Sequence, residues 1–587
     1  LTKTILMNNS GVIQTSQSAD LVTHKILIEG EELSKTYQVK SIVVQNEVNR
    51  IPMAQIVLTD GEASERDFKL SNEDLLIPGK KIEITAGYHN DEETIYKGIV
   101  IKHSIKIKNG VSLLIIECKD EAVKLTIGRK SKYFYDVKDS EAFEEIIDAY
   151  GLDKDVEATN FSHKELVQYN TSDWDFIVSR AQASGKLCFV ENGKITISKP
   201  NVTSASVETV TFGSSLLDFD AEIDARNQFA KVSSYSWDYS NQELVEIEAK
   251  DPSISLNGNL TASDLAETIE LENLELRHGG NISDVELQDW ADAKLLFQQL
   301  SKIRGRVKFQ GIPAVKPNTI ITLEGVGDRF NGKAYITGVF HEISEGNWTI
   351  DAQFGLNPEW FSETYDIHTP TGSGIIPAIK GLHTGIVTQL ESDPNGEDRI
   401  LVKIPIINNE EQGIWCRMAT PDAGENRGIF FRPEIEDEVI IGFINEDPNN
   451  AIVLGMLHSS GKPAPITASD DNHQKGIVTR SEMKVLFDDE KKSIGIETPA
   501  GKKITLDEDK GVIVIEDENS NVITIDSKGI KLESAGNIEF KATGDIKIEG
   551  TNVSIKASAQ FKAEGSAGAE LSSGAAAILK GSIVQIN

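Results

Sequence analysis

The chain is 587 residues long, with a formal net charge of −33 at pH 7, 39% hydrophobic residues and 26% charged residues. A chain of this length is expected to form several domains. The acidic charge argues against a general basic field that would hold nucleic acid or an anionic membrane, so nucleic acid is not an expected partner. No stretch is apolar over the roughly 18 or more residues that a membrane-spanning helix requires.

The N-terminal segment and the cysteines bear on where the chain is made. Residues 1–23 contain no long apolar core followed by a small-residue cleavage site, so we expect no ordinary signal peptide and assembly in the cytoplasm. Cys118, Cys188 and Cys416 are far apart and show no metal-binding spacing. This spacing predicts that the three cysteines are buried free thiols and that the protein is made in a reducing compartment.

The first half of the chain contains two strand-rich regions. In residues 24–118 short segments alternate or run apolar between Gly, Asn and Asp, which predicts a first hub β-barrel. Residues 201–368 predict a second hub barrel, split by an insertion with a helix at about residues 283–300. Residues 369–384, which include Pro and Gly, predict a linker.

Between those regions, residues 119–200 predict an α+β insertion with two helices. The first spans residues 139–150 and ends at Gly151. Its apolar face is formed by Phe143, Ile146, Ile147 and Tyr150. The second helix begins at Ser172, which can cap it, and ends at Gly185. Its apolar face is formed by Trp174, Ile177, Val178 and Ala181. A hairpin turning at Asn192 and Gly193 follows.

The second half predicts a barrel and then a repeat. Residues 385–460 contain five short strands with Gly and Pro corners, which is typical of an oligonucleotide/oligosaccharide-binding (OB) barrel. A polar linker is expected over residues 461–490, and residues 491–587 predict a β-helix spike. The chain is therefore expected to be mainly β.

The repeat has units of about eight residues. Each unit opens with two apolar residues at i and i+2 and then turns through Gly, Asn, Asp or Ser, with starts such as Val522, Ile530, Ile538 and Ile546. In a single chain, such short strands would leave their inner face partly exposed to water. Several chains are therefore expected to form a common core, as an intertwined trimeric β-helix or prism. The alternatives are an ordinary β-meander and a low-complexity tail.

Three motifs carry a resemblance to a known family. The first is YNTSDWDFIVSRAQASGKLCFVENG at residues 169–193, and the second is the stretch from RGRVKF to GVFHEI at residues 304–343. The third is a set of positions in the barrel: Trp415, Arg417, Ala423, Gly424, Gly428, Pro433, Glu434, Glu438, Val439, Phe443, Asp447, Pro448 and Gly455. In this order they resemble the VgrG family of central spike proteins in contractile injection machines. Asn450 departs from the pattern, since the family commonly has Pro there.

The resemblance implies a structural role. It implies a homotrimer that docks on a hexameric inner tube, contacts baseplate proteins and pierces a target membrane with its β-helix needle. It also implies a small conical tip protein with a Pro-Ala-Ala-Arg (PAAR) motif, and effector cargo. The particle would be ejected to the extracellular space or into a target cell. A type VI apparatus, an extracellular phage-tail-like particle and a phage tail remain open, as do the cargo and the target cell.

The sequence predicts no catalytic residue, no cofactor and no metal site. Glu434 and Glu438 suggest an acid pair for glycan hydrolysis, but their surroundings are more typical of a turn that enters a strand. GMLHSSGKP, where Pro463 stands in place of Ser or Thr, does not match a phosphate loop, and the ten histidines form no HxH or HExxH cluster. Trp174 and Trp415 are expected to be core anchors. The alternative function is a spike that is also a glycan hydrolase or toxin.

The tip of the repeat is the predicted binding site. Alanines crowd the last turns, and an apolar pattern returns at Ile583, Val584 and Ile586 before the final Asn587. Strand ends with uncovered apolar side chains are an aggregation hazard unless another protein covers them. These four residues are therefore predicted to bind the tip cap.

Overall fold

The computed structural model describes residues 21–586, which form two units. One unit ends at Pro377 and the other begins at Ala378. The division falls within the stretch that the sequence predicts as a linker over residues 369–384. No helix among the described residues is both long enough and apolar enough to cross a membrane.

The first unit begins with seven strands paired antiparallel, in the order β3-β4-β7-β6-β5-β1-β2. They are β1 (Val22–Ile28), β2 (Glu31–Glu32), β3 (Val39–Glu47), β4 (Met53–Thr59), β5 (Lys81–Tyr88), β6 (Asp91–Lys108) and β7 (Val111–Lys119). Alternate residues of these strands are buried, as at Ala54, Ile56 and Leu58 in β4. This period of two places one face of the sheet against a hydrophobic core.

The α+β insertion follows, after a short 3-10 helix at Glu121–Thr126. Its elements are β8 (Lys130–Lys138), α1 (Asp139–Asp148), β9 (Asp153–Val156), β10 (Ser162–Thr171), α2 (Asp173–Ala183), β11 (Leu187–Glu191) and β12 (Lys194–Ser198). Both predicted helices are confirmed. The Ser172 hydroxyl accepts a hydrogen bond from the Asp175 backbone N–H at 3.1 Å, and Gly185 follows α2 with φ +71°. The predicted hairpin is also confirmed, with Asn192 and Gly193 both at positive φ.

The remainder of the first unit adds nine strands and three helices. They are β13 (Glu208–Thr211), β14 (Asp218–Ile223), β15 (Val232–Asp238), β16 (Glu243–Glu248), α3 (Ala262–Ile269), β17 (Leu274–His278), α4 (Asp284–Leu300), β18 (Ile303–Gln310), β19 (Ile320–Glu324), β20 (Gly332–Ser344), β21 (Asn347–Phe354) and α5 (Phe361–Thr364). Helix α4 confirms the predicted helix at about residues 283–300, and the Ser283 hydroxyl caps it. Helix α3 has no counterpart in the sequence analysis.

The two strand-rich regions share one sheet, which the strand pattern alone does not reveal. Strand β20 pairs antiparallel with β3, from Gly338 opposite Glu47 to Ser344 opposite Ser41. This join gives a continuous path of strands, β14-β18-β21-β20-β3-β4-β7-β6-β5-β1-β2. Two hub barrels were expected, and the structure places most of their strands in a single 13-stranded sheet, whereas β15, β16 and β17 form a separate three-stranded sheet.

A buried histidine lies at this join. The Trp348 indole N–H donates a hydrogen bond of 3.2 Å to Nδ1 of His341, and the rings of Trp348 and Tyr88 stack at 5.7 Å. Burial lowers the pKa of His341 from 6.5 to about 3. The imidazole is therefore neutral in the folded hub, whereas in the unfolded chain it takes up a proton below pH 6.5.

We expect the hub to lose stability as pH falls from 6.5 toward 3. In that range the unfolded chain binds one more proton at residue 341 than the folded chain, so stability decreases by up to about 1.4 kcal/mol per pH unit. Thermal unfolding at pH 7 and pH 5 measures this loss. His341→Gln should be less stable than the parent at pH 7, with a gap that narrows at pH 5. His368→Gln, at an exposed histidine, should show no such narrowing; a constant gap for His341→Gln would contradict the expectation.

The second unit begins with the predicted OB barrel. Its strands are β22 (His383–Gln389), β23 (Ile400–Lys403), β24 (Ile414–Met418), β25 (Ala423–Gly424), β26 (Arg427–Gly428), β27 (Glu438–Phe443) and β28 (Ala451–Met456). Five of them close in the order β22-β23-β24-β28-β27. Val387, Val402, Val439, Ile441 and Val453 fill the interior. The closed five-stranded barrel confirms the prediction from the Gly and Pro corners.

A seven-stranded antiparallel meander follows the barrel. Its strands are β29 (Gln474–Val478), β30 (Lys484–Asp488), β31 (Ser493–Glu497), β32 (Lys503–Asp507), β33 (Val512–Glu516), β34 (Val522–Asp526) and β35 (Gly529–Glu533). The linker predicted over residues 461–490 is therefore wrong in its second part, because β29 and β30 lie within it. Their alternation, with Ile477, Val485 and Phe487 on one face, is the same as in the later repeats.

Residues 534–586 contain no helix or strand within the single chain. The eight-residue apolar pattern continues through them, but their apolar side chains are exposed, as at Phe540, Ile548 and Phe561. Within one chain the repeat is thus a meander as far as Glu533. The intertwined fibre involves several chains and stays a prediction.

Candidate assembly surfaces

The meander carries two ladders of apolar side chains on one face. Paired residues on neighbouring strands point to the same face of a sheet, so cross-strand partners stack into continuous rows. The first ladder consists of Phe487, Ile494, Leu506, Ile513, Ile525 and Ile530. The second ladder consists of Ile477, Val485, Ile496, Ile504, Ile515, Ile523 and Leu532. We call these rows the apolar ladders.

No part of the described chain covers the ladders. Ile504 and Ile515, at the centre of the meander, are 38% and 41% exposed. The five members of the second ladder from Ile496 to Leu532 line a groove of about 620 Å³, and Ile538, just beyond the last strand, lines the same groove. An uncovered apolar face of seven strands is far more than scattered surface hydrophobics and marks an interaction surface.

The opposite face of the meander is mainly polar. Thr505 lies opposite Gly495 and Val514, and Lys503 lies 3.8 Å from the Glu516 carboxylate across the strands. The contrast between the two faces fixes the register, because a slip by one residue would exchange them. One face of the sheet is therefore polar, and the other is apolar and uncovered in the single chain.

Aspartates brace the turns between the strands. Asp507 accepts hydrogen bonds from the Lys510 backbone N–H at 2.9 Å and from Lys510 Nζ at 2.7 Å. Asp517 accepts from the backbone N–H groups of Asn519 and Asn521, both at 2.9 Å. The hydrogen bonds from Lys510 hold the pKa of the Asp507 carboxyl below its usual range. These contacts explain why the repeat places Asp and Asn at its turns.

The predicted tip residues lie at the end of the exposed segment. Ile583 and Ile586 are 85% and 87% exposed, and Val584 is 48% exposed. Asn587 lies outside the described residues. The structure thus leaves these apolar side chains uncovered in one chain, and cap binding there stays a prediction.

The residues that the sequence raises as candidates for chemistry lie in or next to helix α2 and strands β24 and β27. The Glu434 carboxylate accepts a hydrogen bond of 2.7 Å from Arg480, and Glu438 begins strand β27. Trp174 is buried and its indole N–H donates to the Asn49 carbonyl at 3.3 Å, which confirms it as a core anchor. Trp415 is only half-buried, so it is not the core anchor that the sequence predicts. Among the described residues, no group of three or more His, Cys, Asp or Glu is arranged to hold a metal ion.

The three thiols are unreactive in character. Cys118, Cys188 and Cys416 are free and buried, as the sequence predicts. Burial raises the pKa of Cys118 and of Cys416 to about 12. Each thiol is therefore protonated at neutral pH and packs as a small apolar side chain.

Two family profiles match the chain. The family described as the Alg8 N-terminal domain matches residues 18–345, which is more than half of the chain. The family described as the type VI secretion system/phage-baseplate injector OB domain matches residues 383–458. The second match coincides with the closed barrel.

Curated relatives and a solved structure are similar over parts of the chain. The type VI secretion system spike protein VgrG1c of Pseudomonas aeruginosa is 27% identical over 119 residues, which are 19% of this chain and 16% of that protein. The spike protein VgrG3 of Vibrio cholerae is 33% identical over 75 residues, 13% of this chain and 7% of that protein. The matched part is thus less than a fifth of either relative. A structure of the Francisella PdpA–VgrG complex is 11% identical with a TM-score of 0.38, covering 87% of this chain and 88% of that one.

Proposed function

This chain belongs to the family of the Alg8 N-terminal domain and is a VgrG-family spike protein, and on that premise we propose that it forms the trimeric hub and spike of a contractile injection machine. It carries the OB domain shared by type VI secretion systems and phage baseplates. The proposed role is mechanical. The hub would dock on the inner tube, and the repeat would form the needle that pierces a target membrane.

The single observation that carries the proposal is the uncovered apolar face of the meander. Three copies placed about one axis would turn their apolar ladders inward and their polar faces outward. Burying a side chain such as Ile504 contributes roughly 1.5 to 3 kcal/mol, so two ladders in each of three chains supply a large driving force. A closed prism also removes the water-exposed apolar face that would cause aggregation of single chains.

The segment after Glu533 supports interchain pairing. Residues 534–586 keep the apolar spacing of strands, yet find no strand partner within their own chain. Backbone N–H and C=O groups of an extended segment need partners, and two further copies would supply them on either side. A rod held by such interchain hydrogen bonds would be stiff along its axis, as a needle requires.

The first unit supports the docking role. Its two strand-rich regions are joined in one sheet. Three chains with two such regions each would present six similar surfaces, which matches the symmetry of a hexameric tube. Baseplate proteins would contact the outside of this hub.

The tip is proposed to carry a PAAR-type cap and, with it, effector cargo. Ile583, Val584 and Ile586 are uncovered in one chain. A cap that continues the strands would bury these side chains and pair the strand ends. The particle would assemble inside the producing cell and be ejected from it.

The docking role predicts that the hub binds the tube without the needle. A chain in which residues 474–587 are replaced by an unrelated trimeric coiled coil should bind immobilised hexameric tube protein within about threefold of the intact chain, because the coiled coil maintains the three-chain avidity. Surface plasmon resonance measures the affinity.

The matched control is the second unit alone, from Ala378 onward. It retains the barrel and the repeat but lacks the hub, so it should show no tube binding. If the hub fused to the coiled coil fails to bind while the second unit binds, the docking surface lies outside the hub and this part of the proposal is wrong.

A further inference from the structure

A small pocket in the first unit lies away from the proposed assembly surfaces. It has a volume of about 210 Å³ and is formed where the C-terminal end of α2 and the start of α4 meet the loops near residues 159 and 280. Phe161 and Trp290 contribute aromatic rings to its wall, and Arg180, Glu286 and Asp289 contribute charged groups. A pocket of this size has room for a single side chain or a small molecule.

The one guanidinium in the wall is already engaged. Arg180 Nε lies 2.8 Å from Asp139 Oδ1, and Arg180 Nη2 lies 2.9 Å from Asp139 Oδ2. Its Nη2 also lies 3.4 Å from Glu286 Oε1. Such a two-point contact fixes the guanidinium, which therefore acts as part of the wall and not as a free anion-binding group.

The Asp289 carboxylate has no such partner. It is half-buried, and within the described residues it forms no hydrogen bond or ion pair. Burial raises its pKa, and the charges of Lys199 and Lys186 offset this in part without a direct contact. The Lys186 ammonium is already paired with Glu157 at 2.7 Å. Arg180 and His163 both contact Asp139 and Glu286, with His163 Nε2 3.0 Å from Asp139 Oδ2 and His163 Nδ1 3.7 Å from Glu286 Oε1. Asp289 is therefore the carboxyl group of the pocket that these two side chains leave without a contact.

We propose that this pocket binds a guanidinium group. A planar cation fits a site with aromatic rings in its wall and a free carboxylate, because it can lie against Trp290 or Phe161 while it donates two hydrogen bonds to Asp289. An ammonium group is more strongly hydrated and forms neither contact as well. The guanidinium comes either from an arginine of a docked polypeptide or from a free small compound.

Isothermal titration calorimetry of the full chain tests the site with three probes. Propylguanidinium represents a free compound, and a blocked Gly-Arg-Gly peptide represents an arginine side chain. A blocked peptide with citrulline in place of arginine has the same shape without the charge. We expect saturable binding of at least one guanidinium probe and at least about tenfold weaker binding of the citrulline peptide, which corresponds to the loss of one charge-assisted contact.

Variants locate the binding in the pocket. Asp289→Asn should weaken binding of the guanidinium probe by about tenfold or more, and Trp290→Leu should also weaken it. Asp284→Asn is the matched control, since Asp284 is an exposed carboxylate on the same helix that does not line the pocket. It should leave binding unchanged.

The outcomes separate the sources and decide the proposal. Binding of both guanidinium probes assigns the pocket to an arginine side chain, and binding of propylguanidinium alone assigns it to a free compound. If neither guanidinium probe binds, the proposal is overturned. Equal weakening by Asp289→Asn and Asp284→Asn also overturns it, because the effect would then reflect surface charge and not the pocket.

Discussion

Lysine at both Ile504 and Ile515 should convert the proposed trimer into single chains. The two residues are cross-strand neighbours in the centre of the second apolar ladder. In a closed prism each substitution removes roughly 1.5 to 3 kcal/mol of stabilisation by apolar burial per chain. Each also places a buried ammonium group next to the equivalent ammonium groups of the two other chains, which costs a further several kcal/mol. Summed over three chains, the loss is on the order of 10 kcal/mol or more, which a stable assembly would not survive.

Light scattering coupled to size-exclusion chromatography measures the mass. The unmodified chain should elute with three times the mass of one chain, and the double variant with the mass of one. Thr505→Lys with Val514→Lys is the matched control, because these residues also face each other across β32 and β33 but on the opposite face. It should remain trimeric. A monomeric parent, or a double variant at Ile504 and Ile515 that stays trimeric, would show that the ladders do not hold the assembly.

Aspartate at both Ile583 and Ile586 should abolish capture of the tip protein while leaving the trimer intact. Both side chains are uncovered in one chain, and a cap would have to bury them. A carboxylate buried without a partner costs several kcal/mol, so two per chain in three chains remove all measurable affinity. The trimer should persist because the ladders lie more than fifty residues earlier in the chain.

Pull-down with the proposed PAAR-type cap protein measures the capture. Ser582→Asp with Gln585→Asp adds the same charge to the same segment at polar positions, and should retain the cap. Removal of residues 582–587 should lose it. If the Ile583→Asp, Ile586→Asp trimer holds the cap with unchanged affinity, the cap binds elsewhere on the rod.

Local signals predicted α1, α2, α4 and the small barrel, but not α3 or α5. Ser172 and Ser283 cap the starts of α2 and α4, and serine is a common helix N-cap. Each is followed by apolar residues at helical spacing, so a few consecutive residues are enough to predict where these helices begin. The OB barrel lies within residues 383–456, and its turns and alternation were sufficient to predict it, although β22 pairs with β27 and β24 pairs with β28 across longer stretches of sequence. The two faces of the repeat also follow from its period of two.

Long-range features were not predictable in the same way. The pairing of β20 with β3 has no local sequence signal, because the residue pattern of either strand would be the same with a different partner strand. Strands β29 and β30 were assigned to a linker because the Gly, Pro and Asp around residues 461–472 outweighed two short apolar alternations. The pocket at Asp289 and Trp290 depends on α4 meeting α2, and a single carboxylate on a helix gives no sequence signal of an unpartnered group.

The join between β3 and β20 also sets an order of events during synthesis. Strand β3 leaves the ribosome early, but its partner at Gly332–Ser344 follows almost three hundred residues later. Until then the edge of the nascent sheet is open and able to pair with another nascent chain. Non-local pairing of this kind is slow, because a long loop must close before the contact forms. A gene fragment that stops before Gly332 would leave that edge permanently open, and its product would be a poor candidate for soluble expression.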